Sequence, residues 1–350
     1  MNSVDFIVVG CGLASIAFIE QLKFNQQSVI VFDDNSQQSS TVAGGLYNPV
    51  VLKRFTSVWK SKEQLDLALP FYKKLEQKLK VQLDYKTPVL RRFTSTEEQN
   101  NWFAAADKPN VGNFISTKIV KNTNPAIKAD YGFGEVLQTG RIDTQALIDS
   151  YKNYLLTNDE FVNSKFDYEQ LNCTENGFVY KNISAKHIVF AEGFGLKHNP
   201  YFNNLPLNGT KGELITIEAP ELNIDFILKS SAFLIPLGNH LYRVGATYEW
   251  TDKTNNPTEK GKEELVSKLK TFINCEFKVI DQVAGIRPTV KDRRPLVGEH
   301  SAQKNMFVLN GLGTRGVVIA PYVAQQLYKH ITSNTALDPE IDCHRFKTEN

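Results

Sequence analysis

The sequence has few of the residues that build metal sites and disulfide frameworks. Its four cysteines, Cys11, Cys173, Cys275 and Cys343, are far apart and form no Cys-x-x-Cys pair, and its six histidines form no His-x-x-x-His pair. The common ligand spacings of zinc sites are therefore missing, and so is the cysteine framework of small secreted domains. We expect no metal site and reduced, mostly packed thiols.

Long apolar runs and an excess of one charge are also missing. The stretch FIVVGCGLASIAF, residues 6–18, is too short and too interrupted by glycine to span a bilayer, and no signal-peptide pattern accompanies it. We therefore expect a cytoplasmic protein without a membrane span. Forty basic and 38 acidic residues leave a formal net charge of +2, which neither requires nor excludes a nucleic-acid partner.

The remaining composition is that of an ordinary globular protein. Hydrophobic residues make up 41% of the 350 positions and charged residues 22%, close to the usual values. A chain of this length is long for one hydrophobic core, so we expect two domains. The oligomeric state is left open.

The clearest local pattern lies at residues 5–34. DFIVVG predicts a buried strand, GCGLAS a tight turn, IAFIEQLKF a helix and SVIVFDD a second strand. The glycines allow a pyrophosphate to approach the backbone and the helix N-terminus, Ser15 supplies the small side chain required at the third glycine position, and Asp33 lies where a carboxylate receives ribose hydroxyls. The residues expected at this site are Gly10, Gly12, Leu13, Ala14, Ser15, Asp33 and Asp34. The pattern predicts an adenine dinucleotide without distinguishing NAD from FAD; a glycine turn that serves another ligand is the alternative.

The polar segment after the second strand carries the first resemblance to a known family. In NSQQSSTVAGGLYNPVVLKRF, residues 35–55, Ser40, Ala43, Gly44 and Gly45 match a segment of the D-amino-acid oxidase family of FAD-dependent oxidoreductases. This family includes glycine and sarcosine oxidases and the flavin domain of a bifunctional tRNA-modifying enzyme. The resemblance implies that these residues lie along the pyrophosphate and flavin, which favours FAD; a surface loop rich in turn formers is the alternative reading.

The resemblance also implies an α/β fold with two interleaved domains. A Rossmann-type FAD-binding domain would comprise residues 1–60, 140–205 and 283–350, and a substrate domain would comprise 61–139 and 206–282. Alternating apolar residues from 211 to 250 predict that the substrate domain is built on a large, mainly antiparallel sheet covering the flavin. A helix over 258–273 should pack on that sheet, and its lysines are interpreted as a solvated face rather than a tRNA platform.

Two further segments match the family. KHIVFAEGFG, residues 186–195, places Ala191 and Gly193 where a strand brings its backbone beside the cofactor, although a plain buried strand ending at glycine explains it equally well. AGIRPTVKDRRPLVG, residues 284–298, matches the family's Gly-x-Arg-Pro motif. The resemblance implies that Arg287 holds a substrate carboxylate, which a planar guanidinium can fix with two hydrogen bonds. A structural ion pair with Asp292 is the alternative.

The last matching segment is NGLGTRGVVIAP, residues 310–321. The resemblance implies that it contacts the flavin ring and that amides at the N-terminus of the following helix face the pyrimidine carbonyl edge. Pro321 fits the first turn of that helix only if the helix begins near residues 318–320. The residues expected to contact the flavin are Gly311, Gly313, Thr314, Arg315, Gly316 and Val317. Because no cysteine lies between Cys275 and Cys343, we expect FAD to be bound noncovalently.

The expected reaction is oxidation of the C–N bond of an amino acid or secondary amine by hydride transfer to flavin, followed by imine hydrolysis. Besides Arg287 and Arg315, candidates for the substrate pocket are Tyr242, Tyr248, Phe233 and Tyr47, whose side-chain directions cannot be read from sequence. The position of Arg315 resembles that in the tRNA-modifying flavin domain more than that in glycine oxidase. A modified tRNA base is therefore an alternative substrate, disfavoured by the near-neutral charge. A 2-hydroxy-acid dehydrogenase and a flavin-binding protein without turnover are also alternatives.

Overall fold

Two large sheets and six α-helices organise the computed structural model, which describes residues 2–346. The helices are α1 (Leu13–Phe24), α2 (Ser61–Leu79), α3 (Thr96–Ala106), α4 (Thr144–Thr157), α5 (Glu259–Lys270) and α6 (Gly316–Ser333). The strands are β1 (Asn2–Val9), β2 (Val29–Asp33), β3 (Leu46–Tyr47), β4 (Val50–Val51), β5 (Thr56–Ser57), β6 (Asp84–Tyr85), β7 (Val89–Arg92), β8 (Ile115–Val120), β9 (Phe133–Val136), β10 (Gly140–Ile142), β11 (Phe161–Asn163), β12 (Leu171–Thr174), β13 (Gly177–Tyr180), β14 (Ile183–Phe190), β15 (Thr210–Glu218), β16 (Ile227–Lys229), β17 (Phe233–Gly238), β18 (Leu241–Gly245), β19 (Lys278–Arg287), β20 (Leu296–Glu299) and β21 (Met306–Asn310).

The first sheet contains the predicted strand–turn–helix–strand unit. Its order is β11-β2-β1-β14-β13-β12, and β21 pairs with β14 and with β20. β1 is parallel to both β2 and β14, and α1 forms the crossover connection between β1 and β2. Because this part of the sheet is covered on both faces, residues 6–9 of β1 and 188–190 of β14 form continuous buried apolar runs, whereas the first halves of both strands include polar residues.

The second sheet has the order β19-β15-β18-β17-β16-β7-β9-β8 and is antiparallel apart from the β16–β7 pair. One face packs against α5 through Leu265, Leu269 and the following Phe272. The other face, which includes Leu214 and Ile235, borders a large cavity. The expected fold class, a Rossmann-type layer combined with a large, mainly antiparallel sheet, is confirmed.

The predicted domain boundaries stay a prediction, but two contacts bear on how the chain is divided. α2, which the prediction assigns to the substrate domain, packs against α6. Its Lys78 pairs with Glu20 of α1. The predicted boundary between residues 282 and 283 falls inside β19.

The predicted start of the last helix is wrong. α6 begins at Gly316, so Pro321 lies inside the helix instead of in its first turn. A proline at this position lacks the N–H that would bond the carbonyl of Val317, four residues earlier. The buried Tyr72 hydroxyl of α2 donates to that carbonyl instead, over 2.7 Å. A side chain from another helix thus satisfies the group that the proline leaves free.

The four cysteines are all unpaired thiols: Cys11 and Cys343 are buried, Cys275 is partly buried and Cys173 is exposed. Two of the four thiols, those of Cys11 and Cys343, are therefore packed as expected, whereas that of Cys173 is not. Among residues 2–346, no helix combines the length and apolarity needed to cross a membrane.

Candidate active site

A cavity of about 900 Å³ lies between the two sheets, at the carboxyl ends of β1, β2 and β14. This is the edge of a parallel sheet at which α/β proteins bind nucleotides. Its volume is near the top of the ~300–1,000 Å³ range usual for ligand sites. The predicted cofactor residues that line it are Gly10, Gly12, Leu13, Ala14, Asp33, Asp34, Ser40, Ala43, Gly44, Gly45, Ala191, Gly193, Gly313, Thr314, Arg315, Gly316 and Val317.

The first glycine turn leads directly into α1 and exposes its N-terminus to the cavity. Gly10 has φ +97°, and a Cβ there would lie 2.5 Å from the carbonyl oxygen of Ala191, so no other residue fits. The N–H of Leu13 donates to the Ser40 hydroxyl over 3.3 Å. Because Ser40 accepts from the helix, its own hydroxyl hydrogen is free to be donated to an anion in the cavity.

The carboxylate of Asp33 lies at the end of β2 and is held from two sides. It accepts the N–H of Cys11 over 2.6 Å and the Nζ of Lys152 over 3.2 Å. Each carboxylate oxygen can accept more than one hydrogen bond, so the group can still receive a hydroxyl. Lys152 comes from α4 and lines the cavity, but no local pattern marked it in the sequence.

A carboxyl group that the sequence did not indicate lies beside Gly10. Glu192 accepts a hydrogen bond from the Tyr168 hydroxyl and one from the Asn199 amide, the latter over 2.8 Å. Burial raises the pKa of Glu192 from 4.5 to about 7. Its sequence neighbours Ala191 and Gly193 were predicted from the family motif, whereas the position between them carried no signal.

The second glycine turn, which follows β21, delivers the N-terminus of α6 to the same cavity. The N–H of Gly313 donates to the carbonyl of Pro288 over 3.1 Å, which joins this turn to the end of β19. The amides of Gly316 and Val317 stand at the first two positions of α6, where a helix offers them no acceptor. They line the cavity and can stabilise negative charge there.

Two arginines form the cationic end of the cavity. Arg287 donates to the carbonyl of Thr247 over 3.3 Å, and its guanidinium lies over the Tyr248 ring, 4.7 Å from the ring centroid. Arg315 donates to the carbonyl of Asn48 over 2.8 Å. Burial lowers the pKa of Arg287, and it lowers the pKa of Arg315 to about 10. Among residues 2–346, neither guanidinium forms an ion pair with a carboxylate, and the one titratable group that acts on either of them is Tyr248.

The alternative ion pair of Arg287 with Asp292 is not formed. Asp292 instead accepts two hydrogen bonds from Arg345, over 2.8 and 3.1 Å. A buried cation without a permanent partner remains costly unless an anion joins it. Arg287 is therefore available to bind an anionic group of a ligand in the cavity.

Four predicted residues do not line the cavity. Tyr242 is buried between the second sheet and α5, because side chains alternate along β18 and its own points away from the cavity. Tyr47 is also buried, and its hydroxyl donates to Asp84 over 2.7 Å. Ser15 is a fully buried residue of α1, and Gly311, with φ +76°, packs against Val290. Phe233 and Tyr248 do line the cavity.

The cavity wall fits the expected dinucleotide. Two helix N-termini, a glycine that permits close backbone approach and a carboxylate at the end of β2 are the features by which a chain holds pyrophosphate and ribose. The apolar side chains Leu214, Phe233 and Ile235 form a wall suited to a flat ring near the arginines.

An open groove of about 1,660 Å³ adjoins the cavity, and Tyr248, Thr314 and Arg315 line both. Seven cations and two acidic residues line this groove, and two of the cations, Lys60 and Arg294, are paired with Asp338 and Glu340, which do not line it. The cations are Lys53, Arg54, Lys60, Lys62, Arg293, Arg294 and Arg315, and the acidic residues are Glu63 and Asp66. Tyr248 and Trp250 are 61% and 52% exposed beside it.

Comparison with known proteins gives one family and several relatives. Residues 5–329 match the family described as DAO, FAD dependent oxidoreductase. The tRNA 5-methylaminomethyl-2-thiouridine biosynthesis bifunctional protein of Campylobacter jejuni subsp. jejuni serotype O:6 is 22% identical over 304 residues, covering 83% of this chain and 45% of that protein. Glycine oxidase of Bacillus subtilis strain 168 is 27% identical over 147 residues, covering 40% of this chain and 39% of the oxidase. The matched regions span less than half of each relative.

Solved structures resemble the fold over almost its whole length. Glycine oxidase from Geobacillus kaustophilus superimposes with a TM-score of 0.77 at 16% identity and covers 97% of both chains. L-α-glycerophosphate oxidase from Mycoplasma pneumoniae, determined with FAD bound, superimposes with a TM-score of 0.70 at 16% identity and covers 96% of both chains. At such identities the likeness establishes the fold alone.

Proposed function

Because the chain belongs to the DAO family of FAD-dependent oxidoreductases, we propose that it oxidises the C–N bond of an amino acid or secondary amine that carries a carboxylate. The proposal rests chiefly on Arg287, a partly buried guanidinium that borders the cavity with no carboxylate partner among the described residues. A substrate carboxylate would supply the missing charge, and two hydrogen bonds would fix its position.

We also propose that FAD binds without a covalent link. Cys11 is the one cysteine that lines the cavity within residues 2–346. Burial raises the pKa of its thiol to about 12. A thiol that stays protonated is a poor nucleophile, so Cys11 is unsuited to attack a flavin.

FAD, when bound, would supply the two-electron acceptor for the reaction. The chain's own residues would position the substrate: Arg287 holds the carboxylate, and Tyr248 backs the guanidinium. The apolar wall that includes Leu214 and Phe233 excludes water. The first amides of α6 are preorganised to stabilise negative charge, which adds no reorganisation cost during reaction.

The test is anaerobic mixing of the holoprotein with amino acids, N-alkyl amino acids and 2-hydroxy acids while flavin absorbance is followed. We expect a carboxylate-bearing amine to bleach the flavin in the wild type, and Arg287→Ala to weaken its binding strongly. Arg92→Ala, on β7 of the second sheet, serves as a control because its guanidinium is bonded to the Lys128 carbonyl instead. Reduction by hydroxy acids alone, or no reduction by any compound, would contradict the amine proposal.

A second candidate is an amine carried on a modified base of tRNA, and the basic groove favours it. A positively charged groove with exposed aromatic side chains is how proteins bind single-stranded nucleic acid through phosphate contacts and base stacking. The groove opens into the cavity at Tyr248 and Arg315, so a base held there could reach the cationic end. The Campylobacter relative is named for the biosynthesis of a modified tRNA base.

This candidate is tested by measuring binding of bulk tRNA at low and physiological salt. The double variant Lys53→Glu, Arg293→Glu should abolish salt-resistant binding, because both side chains are exposed in the groove. Lys270→Glu changes an exposed lysine of α5, on the far side of the second sheet, and should bind as the wild type does. Equal binding by all three proteins would remove the support that the groove provides.

A further inference from the structure

A fully buried lysine lies behind the cationic end of the cavity. Lys211 of β15 is 0% exposed, and its Nζ donates to the Asp252 carboxylate and to the carbonyl of Asn256. A lysine is almost never buried completely unless it is paired. Neither partner belongs to a strand: both lie in residues 246–258, which connect β18 to α5 and are called the strap below.

The strap is fastened to β15 along its length. Lys211 and Glu249 exchange two backbone hydrogen bonds of 2.9 and 3.0 Å. The N–H of Glu213 donates to the Thr247 hydroxyl over 2.9 Å. The buried Glu213 carboxylate accepts the N–H and the hydroxyl of Thr258, over 2.8 and 2.7 Å. β15 therefore presents two buried charged side chains, and both hold the strap.

The strap in turn holds Arg287. Its Thr247 carbonyl accepts a hydrogen bond from the guanidinium, and its Tyr248 ring lies against the same group. The strap also reaches the cofactor side of the cavity, where the Asn255 amide donates to the carbonyl of Ser36 over 3.1 Å. The orientation of Arg287 thus depends on a segment whose own position depends on Lys211.

We propose that Lys211 is a positioning residue that acts through the strap and preorganises Arg287 to bind a substrate carboxylate. This rests on the proposed role of Arg287. The Lys211–Asp252 pair is the buried attachment of the middle of the strap, where Lys253 also donates to the carbonyl of Gly209 over 2.9 Å and Asn255 donates to Ser36. Without the pair, the strap would be attached less firmly beyond Glu249, so Tyr248 would hold the guanidinium less rigidly and more of its ordering would take place when ligand binds. The entropy lost when the Arg287 side chain is ordered on ligand binding weakens the affinity for the carboxylate.

The test measures simple carboxylates, namely acetate, glycolate and benzoate, binding to holoprotein through their effect on the flavin spectrum. Lys211→Met and Asp252→Asn should each raise the Kd by about tenfold, as for neighbouring residues that share one network. Asp252→Glu should restore most of the affinity because it keeps the charge. FAD affinity, measured by flavin fluorescence, should change little. Glu264→Gln, which breaks an ion pair with Lys268 on α5, should bind carboxylates as the wild type does.

A merely structural role predicts a different pattern. If Lys211 acts through Arg287, the double variant Lys211→Met, Arg287→Ala should bind carboxylates no more weakly than Arg287→Ala alone. Suppose that Arg287→Ala loses affinity for carboxylates, whereas Asp252→Asn and any folded Lys211→Met bind them as the wild type does. The role of Lys211 would then be overturned, and the proposed function would stand. Wild-type affinity in Arg287→Ala would overturn the proposed function itself. Because Asp252 is only partly buried, Asp252→Asn tests the strap even if Lys211→Met does not fold.

Discussion

Replacing Gly212 by alanine would place a methyl group where the guanidinium of Arg287 now lies. A Cβ on Gly212 would be 1.9 Å from Nη2, 2.2 Å from Cζ and 2.4 Å from Nη1 of Arg287. Ordinary contact begins at 3.4 Å, so the guanidinium must move by about 1.5 Å. The backbone of Gly212 does not require glycine, because it lies in regular β15 without a positive φ. The change therefore displaces the charge without removing it.

The size of the effect follows from that displacement. A misplacement of ~1 Å at a site that positions a reacting group can cost ~100-fold. We expect Gly212→Ala to weaken carboxylate binding, or kcat/KM for a carboxylate-bearing amine, by about 50- to 100-fold. This corresponds to about 2.5 kcal/mol, at ~1.4 kcal/mol for each factor of ten. Flavin content and its visible spectrum should stay close to those of the wild type.

The assay is the titration of holoprotein with carboxylates, followed by rapid mixing with any amine found to reduce the flavin. Thr216→Val, further along β15, is the matched control because it alters the same strand at a residue that does not line the cavity. A Gly212→Ala protein that folds, retains FAD and binds carboxylates with wild-type affinity would refute the position assigned to the substrate carboxylate.

Three other variants probe separate parts of the structure. Gly10→Ala should abolish FAD binding, measured by flavin fluorescence, because its Cβ would lie 2.5 Å from the carbonyl oxygen of Ala191 at φ +97°. Burial raises the pKa of Glu192 from 4.5 to about 7, so the free energy of unfolding should fall as pH rises between these values. In urea titrations across that pH window, the free energy of unfolding of Glu192→Gln should fall by about 3 kcal/mol less than that of the wild type. An equal fall in both proteins would contradict the raised pKa of Glu192. Tyr72→Phe should lower the free energy of unfolding by about 1–3 kcal/mol in urea, because the buried carbonyl of Val317 loses its donor; a smaller loss would show that another donor reaches it.

That the proposed cofactor residues lie around one cavity could be predicted because the signals are local in sequence. Gly10 and Asp33 stand at the ends of neighbouring parallel strands, and the order of strand, turn and helix fixes where both must lie. Membership of the family then accounts for the other glycine turns. Their common feature is backbone conformation, which sequence motifs encode well because few residues tolerate it.

The substrate side depends on side-chain directions that no motif encodes. Tyr242 was expected in the pocket, but the alternation along β18 turns it toward α5 and leaves Gly245 to line the cavity. The roles proposed for Gly212 and Lys211 follow from the pairing of β15 with β19 and from the path of the strap, neither of which a sequence motif encodes. A one-residue change of register would have reversed which of them faces the ligand.

The bond from Tyr72 to the carbonyl of Val317 makes the effects of substitutions at two distant positions depend on each other. Losing the hydroxyl while Pro321 remains would leave the buried carbonyl without a donor, which lowers stability. Restoring an amide at position 321 first would give that carbonyl a second donor, because its two lone pairs can accept the amide together with the tyrosine hydroxyl. The hydroxyl could then be lost at a smaller cost. The order in which the two positions change therefore decides whether the beginning of α6, beside the proposed flavin site, passes through a destabilised intermediate.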